Sequence, residues 1–141
     1  MGCDIHVHVE CQRYLSRGEH DWQSFASLGF EPRDYALFGA MTAGEVRSDT
    51  TLAGAVAPRG YPSDADDDAN EDYYEGEEYW RRETRVPNLD WHTPSWLTTA
   101  EFVAAVEHVG DVDYYWRAIA TVMQSLEASG HPARVVFWFD N

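Results

Sequence analysis

The sequence predicts an α+β domain: a small sheet holding an N-terminal hairpin and the C-terminal strand, covered by two to three helices. Three stretches predict it. The first ten residues alternate Cys3, Ile5, Val7 and Val9 with Asp4, His6, His8 and Glu10, the two-residue period of a half-buried strand. The last residues, Arg134-Val-Val-Phe-Trp-Phe-Asp140, are mostly β-branched or aromatic, which suits a pleated surface. Between them Tyr115, Ile119, Val122, Met123 and Leu126 keep the i, i+4, i+7 spacing of a helical core face.

After the first strand, residues 15–21 read as a turn with Gly18 at its tip, and Trp22 to Ser27 return as the second strand of the hairpin. Pro32 sits early, where a helix tolerates it. Tyr35, Leu37, Phe38 and Met41 follow at mixed three- and four-residue spacing, so a short helix is expected, ending at Gly44. Residues 45–63 lack a period and carry Gly54, Pro58, Gly60 and Pro62, which predicts a long loop. Residues 64–78 hold nine acids and are expected to form an exposed, mobile acidic loop insertion. Residues 79–97 mix arginine, tryptophan and proline and receive no regular element. Thr98 and Glu101 fit a capping box, and Phe102, Val103, Val106 and Val109 form the stripe of a helix over 99–109, closed by Gly110. A second helix over 112–128 starts from a cap at Asp111 and stops at Gly130 and Pro132. The apolar faces of the two terminal strands need cover from these helices, so the strands are expected as neighbours in one sheet, with Asp140 and Asn141 near one end of the polar row.

A chain of 141 residues suits one domain, 1–141, and its 44% hydrophobic content argues against disorder of the whole. No apolar run approaches the ~20 residues of a membrane span, and the first residues show no charged-then-apolar leader, so a cytoplasmic protein without a membrane partner is expected. Cys3 and Cys11 lie eight apart in one strand, some 26 Å at ~3.3 Å per residue, too far to bridge, and read as buried free thiols. The formal charge is −15, with ten arginines and no lysine. That sign repels phosphate backbones and excludes ordinary nucleic-acid binding. It leaves a compositional bias of the source genome, an acidic decoy that imitates DNA, or cation binding. Self-association stays open.

Four ionisable groups on one strand face are the first candidate site. Asp4, His6 and His8 could place a carboxylate and two imidazoles on a divalent metal such as zinc, provided His92, Asp90 or Asp140 arrives to complete it; otherwise these groups hydrogen-bond to one another and to the chain above them. Asp64, Asp66, Asp68, Asn70, Asp72 and Glu75 match calcium-loop positions 1, 3, 5, 7, 9 and 12, although the glycine expected at position 6 is Ala69. A run this rich in acids also meets such spacing by chance. Arg33, Tyr35, Arg59, Tyr61, His92 and Trp96 lie near turns or helix starts, where arginine forks could meet phosphate and rings could stack on a base; the alternative is that Arg33 and Arg59 pair with carboxylates. No nucleophile signature or phosphate-cradling glycine run is present.

Gly2-Cys3-Asp4-Ile5-His6, Arg33-Asp34-Tyr35-Ala36-Leu37-Phe38, Pro58-Arg59-Gly60-Tyr61-Pro62, His92 with Ser95-Trp96-Leu97-Thr98, and Phe137-Trp-Phe-Asp-Asn141 follow in this order. Together they resemble a group of short, uncharacterised proteins of bacteriophages and prophages, over nearly the whole chain. The acidic stretch 64–78 lies outside the shared pattern. The resemblance implies a phage-type accessory role in the host cytoplasm, and no particular reaction.

The expectation is therefore a protein that holds a small polar ligand over the polar face of the first strand, plausibly sequestering a nucleotide-derived host defence signal. His6, His8 and Glu10 would hydrogen-bond it, Arg33 and Arg59 would meet phosphate, Tyr35 or Trp96 would stack, and His92 would close the set. The rivals are a metal-dependent hydrolase or phosphodiesterase, with Asp4, His6 and His8 as ligands and Glu10 or Asp140 as base, and an acidic decoy carried by residues 64–78.

Overall fold

The computed structural model describes residues 2–14, 20–29, 31–47, 52, 54–75 and 86–141. In chain order the elements are β1 (Asp4–Tyr14), β2 (His20–Leu28), α1 (Tyr35–Met41), α2 (Asp67–Tyr73), β3 (Tyr74–Glu75), β4 (Val86–Pro87), β5 (His92–Thr98), α3 (Thr99–Val109), α4 (Tyr114–Ala128) and β6 (Ala133–Asp140). The main sheet is antiparallel throughout, ordered β2-β1-β6-β5. This is the expected α+β architecture, with the N-terminal hairpin and the C-terminal strand side by side.

Register explains why both faces of the sheet are buried. Ile5, Val7, Val9 and Cys11 of β1 stand opposite Phe139, Phe137, Val135 and Ala133 of β6. These apolar pairs form one face, packed under α1, α3 and α4 through Phe38, Phe102, Trp116 and Met123, all of which are fully buried. Asp4, His6, His8 and Glu10 stand opposite Asp140, Trp138, Val136 and Arg134 on the other face. Val136 and Trp138 are also fully buried there, under Tyr73 of α2 and the ring of Tyr61. Tyr61 stacks flat on Tyr73 at 3.9 Å, and Tyr73 meets Trp138 edge-on at 5.0 Å.

That second layer corrects the reading of residues 64–78 as a loop. Residues 67–73 are helical, with Asp66 as N-cap, its side chain accepting from the Asp68 amide at 3.1 Å. Acids at the first turn suit the positive end of a helix, while Ala69, Asn70 and Tyr73 point inward. Residues 76–78 lie outside the described part. A calcium loop is likewise not formed: Asp68, Asn70 and Asp72 sit on this helix, which fans them around its axis, and the Asn70 side chain is spent on Tyr61 and the Ala65 carbonyl.

β5 was not expected, because Pro94 lies within it. Proline is tolerated on an edge strand, and here the register shifts between His92 and Ser95, with Thr93 in the left-handed region at φ 51°. Residues 79–85 of the same unassigned stretch lie outside the described part. The capping box at α3 forms as expected: Glu101 N donates to Thr98 Oγ1 at 3.3 Å and Thr98 N to Glu101 Oε1 at 2.9 Å. The cap of α4 falls on Asp113 rather than Asp111, since Val112 must first enter the core. Asp34 caps α1 by accepting from Leu37 N at 3.0 Å. Gly44, at φ 80°, closes the turn after α1 by donating to the Gly39 carbonyl at 2.9 Å. Both cysteines are free and buried. No described helix is long and apolar enough to cross a membrane.

Candidate functional site

The polar row of β1 runs from a sealed end to an open one. Glu10 is 0% exposed and Arg134 is 3% exposed. Arg134 Nε donates to Glu10 Oε1 at 2.8 Å, and the Asp66 amide donates to Glu10 Oε2 at 2.8 Å. Arg134 also reaches Asp64 at 3.1 Å, with its guanidinium 4.1 Å over the Trp22 ring. Burial pushes the Glu10 carboxyl up, while Arg134 and the Asp66 amide pull it back. This knot fixes the start of the acidic segment to the sheet. It has no opening to a ligand.

His8 follows, also sealed, with Nε2 2.8 Å from Asp72 Oδ2 and its ring stacked on Trp138. Burial holds the imidazole below its ordinary value, with Asp72 opposing. A neutral ring donating from Nε2 leaves Nδ1 as a bare lone pair, and Nδ1 indeed has no partner among the described residues.

The open end begins at His6. Its side chain is 35% exposed, with Nε2 2.5 Å from Asp140 Oδ2. The ring lies between Trp91, tilted at 4.5 Å, and Trp138, stacked at 5.6 Å. Beside it is a cleft of about 610 Å³. Its walls bring together His6 and Asp4 of β1, Leu28 of β2, Glu31, Asp72 of α2, Trp91 and Asp140 of β6. Among the described residues, no arginine or lysine lines it.

Three of the four carboxyls in the cleft have a partner within the protein. Arg33 grips Asp4 through two bonds, of 2.6 and 3.1 Å, and holds its carboxyl below the usual value. Asp72 holds His8, and Asp140 holds His6. Among the described residues Glu31 has no ion-pair partner, and its buried Oε1 has no hydrogen-bond partner. Burial pushes Glu31 up to about 7, assisted by Asp4 and Asp72 and opposed by backbone amides, first that of Val7.

A group whose folded value is raised contributes stability that is complete below its unfolded value, near 4.5, and is lost as pH rises through about 7. Glu31→Gln should therefore melt like the unsubstituted protein at pH 4 and be more stable at pH 8, by ~1–3 kcal/mol, because it removes a part-buried charge that backbone amides oppose only in part. Thermal melts at the two pH values check this; equal stability at pH 8 would show that Glu31 is solvated.

Of the expected ligand residues, His6 lines the cleft and the others do not. His8 and Glu10 are sealed beneath α2 and the residues before it. Arg59 forms a two-pronged pair with Glu101 at 2.7 and 2.8 Å and lies 4.1 Å over Trp96, so both are committed on another part of the surface. Arg33 is the counter-ion of Asp4 at the rim. The Tyr35 hydroxyl accepts from the Cys3 amide at 3.3 Å, and the ring packs edge-on against Phe38. His92 lies on Phe139, with Nε2 3.2 Å from Asn141. The pairing of arginine with carboxylate, one of the two readings, is what forms.

The proposed metal ligands do not converge. Asp4, His6 and His8 each turn to a separate partner, and no group of three His, Cys, Asp or Glu side chains among the described residues could hold an ion. Glu31 and Trp91 carry no sequence signal, since each sits in irregular chain beside a proline or a turn. Asp140 was legible: its register opposite Asp4 follows from pairing the terminal strands.

Comparison with protein-family models, curated proteins and solved structures gives no match to this chain. The cleft is therefore interpreted from its own chemistry.

Proposed function

We propose that this chain is a phage-type accessory protein that holds a small polar ligand in the cleft at the open end of β1, and that the ligand is a nucleotide-derived host signal which it sequesters. The observation that carries the reading is His6: an imidazole oriented by Asp140, flanked by two tryptophans and open to a cleft of about 610 Å³. A pocket with an aromatic wall and a few convergent polar groups is the common form of a small-molecule site. Because no described arginine lines the cleft, a nucleotide would enter base first, leaving its phosphates toward Arg33 at the rim.

Isothermal titration with a panel of nucleosides and nucleotides tests this. The expected result is binding with a Kd in the micromolar range or below, weakened at least tenfold, about 1.4 kcal/mol, in His6→Ala. Heat absent for every compound at high micromolar concentration, or affinity unchanged in His6→Ala, would reject the reading.

The hydrolase alternative keeps only an oriented imidazole, His6 with Asp140, as a base; Glu10 is too deeply sealed to serve. Among the described residues the decoy alternative depends on the outward Asp67, Asp68 and Glu71 of α2, because Asp64 binds Arg134, the Asp66 side chain caps the helix and Asp72 binds His8.

A further inference from the structure

We infer that α2 is a lid latched to the sheet by the Asp72–His8 contact, that acid releases the latch, and that lifting α2 extends the open cleft from His6 along β1 to His8. What this does to binding rests on the small-ligand reading above; the lid itself does not.

Position comes first. Asp72, near the C-terminal end of α2, is both a wall of the cleft and the partner of His8, at 2.8 Å. His6 and His8 share one face of β1 and stack on the same ring, Trp138, at 5.6 and 5.5 Å. His6 is open and His8 is 2% exposed, so the end of α2 divides the open part of the row from the sealed part. The start of α2 is held by buried groups: Arg134 binds Asp64, and Glu10 binds the Asp66 amide. Its end is held by Asp72 on His8 and by Tyr73 against Trp138. β3, which follows directly, belongs with β4 to a separate two-stranded sheet. Anchored at its start and followed by a strand outside the main sheet, α2 lifts from its end.

The seat is imperfect. With α2 closed, His8 Nδ1 and Trp138 Nε1 are buried and have no hydrogen-bond partner among the described residues. An orphaned acceptor and an orphaned donor each carry a penalty, which water removes once the lid lifts. Closure is therefore opposed from within.

Acid adds to that opposition. Neutral His8 donates from Nε2 to Asp72, so a second proton must go on Nδ1, where the described residues offer no acceptor. Asp72 and Asp68 of α2 favour the cation, and His6 of β1 opposes it. Next along β1, Glu10 is paired with Arg134 of β6, and β2 places the uncharged Ser27 opposite His8. Asp72 itself faces Glu31. Burial outweighs the two carboxylates and holds the imidazole below its ordinary value of 6.5. The lifted state, with His8 in water, takes the proton first. Closure is thus fully favoured above 6.5 and weakens as pH falls below it. Glu10 titrates in the opposite sense, but it stays under Arg134 and the Asp66 amide when the far end lifts.

The test is amide exchange of the full chain at pH 7.5 and pH 5.5, read as protection factors so that the intrinsic pH dependence of exchange cancels. Protection over residues 70–74 should fall about three- to tenfold at pH 5.5, tenfold being the ceiling for one proton on a group of ordinary value 6.5. α3 and α4 should keep theirs. His8→Gln, which can still donate to Asp72 but does not titrate, should protect 70–74 equally at both pH values. Asp72→Ala, at a half-exposed position, should lower protection over 70–74 already at pH 7.5. Protection in the parent that ignores pH, that falls equally in His8→Gln, or that survives Asp72→Ala would overturn the latch. A fall shared by α3 and α4, or no protection over 70–74 at pH 7.5, would overturn the lid. None of these outcomes depends on the nucleotide panel, so the lid and the ligand site fail separately.

Discussion

Removing residues 134–141 should abolish cooperative folding. β6 lies between β1 and β5, so its loss strips the ladder from both neighbours. Val135, Val136, Phe137, Trp138 and Phe139 are each 0% exposed. Each such side chain contributes ~1.5–3 kcal/mol on burial, so together they are of the same size as the ~5–15 kcal/mol that holds a typical domain. The loss falls on both faces: Phe137 and Phe139 in the helix-covered core, Val136 and Trp138 under α2. Far-UV circular dichroism should show no cooperative transition in the truncated chain. A melt within a few degrees of the full-length midpoint would mean that β6 is dispensable and the sheet order wrong.

Arg134→Ala should be the most damaging single polar substitution. It leaves Glu10, fully buried, with the Asp66 amide and no cation. Breaking a buried pair by removing one partner costs ~3–5 kcal/mol, which for a chain of this size lowers Tm by about 10–20 °C. The deficit should shrink in acid, where Glu10 can take a proton and its burial costs less. The same substitution releases Asp64 and uncovers Trp22, so α2 should loosen from the sheet, measurable as faster amide exchange over 64–73. Replacing both partners with apolar residues, Glu10→Leu with Arg134→Met, should recover much of the loss. A single variant as stable as the parent would show that the pair is solvated.

The terminal strands, the hairpin and both long helices were legible because each carries a period: two residues in β1, three and four in α3 and α4, and a capping box that needs only Thr98 and Glu101. Pairing β1 with β6 even placed Asp140 opposite Asp4. The acidic segment misled for a physical reason. Its charge density dominates any average, while the residues that seat it, Ala69, Asn70 and Tyr73, occupy barely two turns and show no repeat. Its anchors are tertiary: Glu10, His8 and Arg134 draw Asp66, Asp72 and Asp64 down onto the sheet. Once that layer closes, half the polar row of β1 becomes internal structure.

The arginines follow the same logic. With so many carboxylates available, Arg33 and Arg59 are each taken by one and Arg134 by two, and what remains near the open end among the described residues is an excess of acid. That reverses the polarity expected of a phosphate pocket. Glu31 was invisible because its importance comes from what surrounds it, and nothing in its own stretch of chain records that.

Amide chemical-shift mapping of the 15N-labelled protein, titrated with the tightest compound from the titration panel, tests the ligand site most directly. The expected result is a set of shifts gathered at Ser27, Leu28, Gly29, Glu31 and Asp140, with the Trp91 indole moving alongside them and Arg59, Trp96 and Glu101 still. Shifts centred on Arg59 and Trp96, or on the outward acids of α2, or none at the cleft, would contradict it.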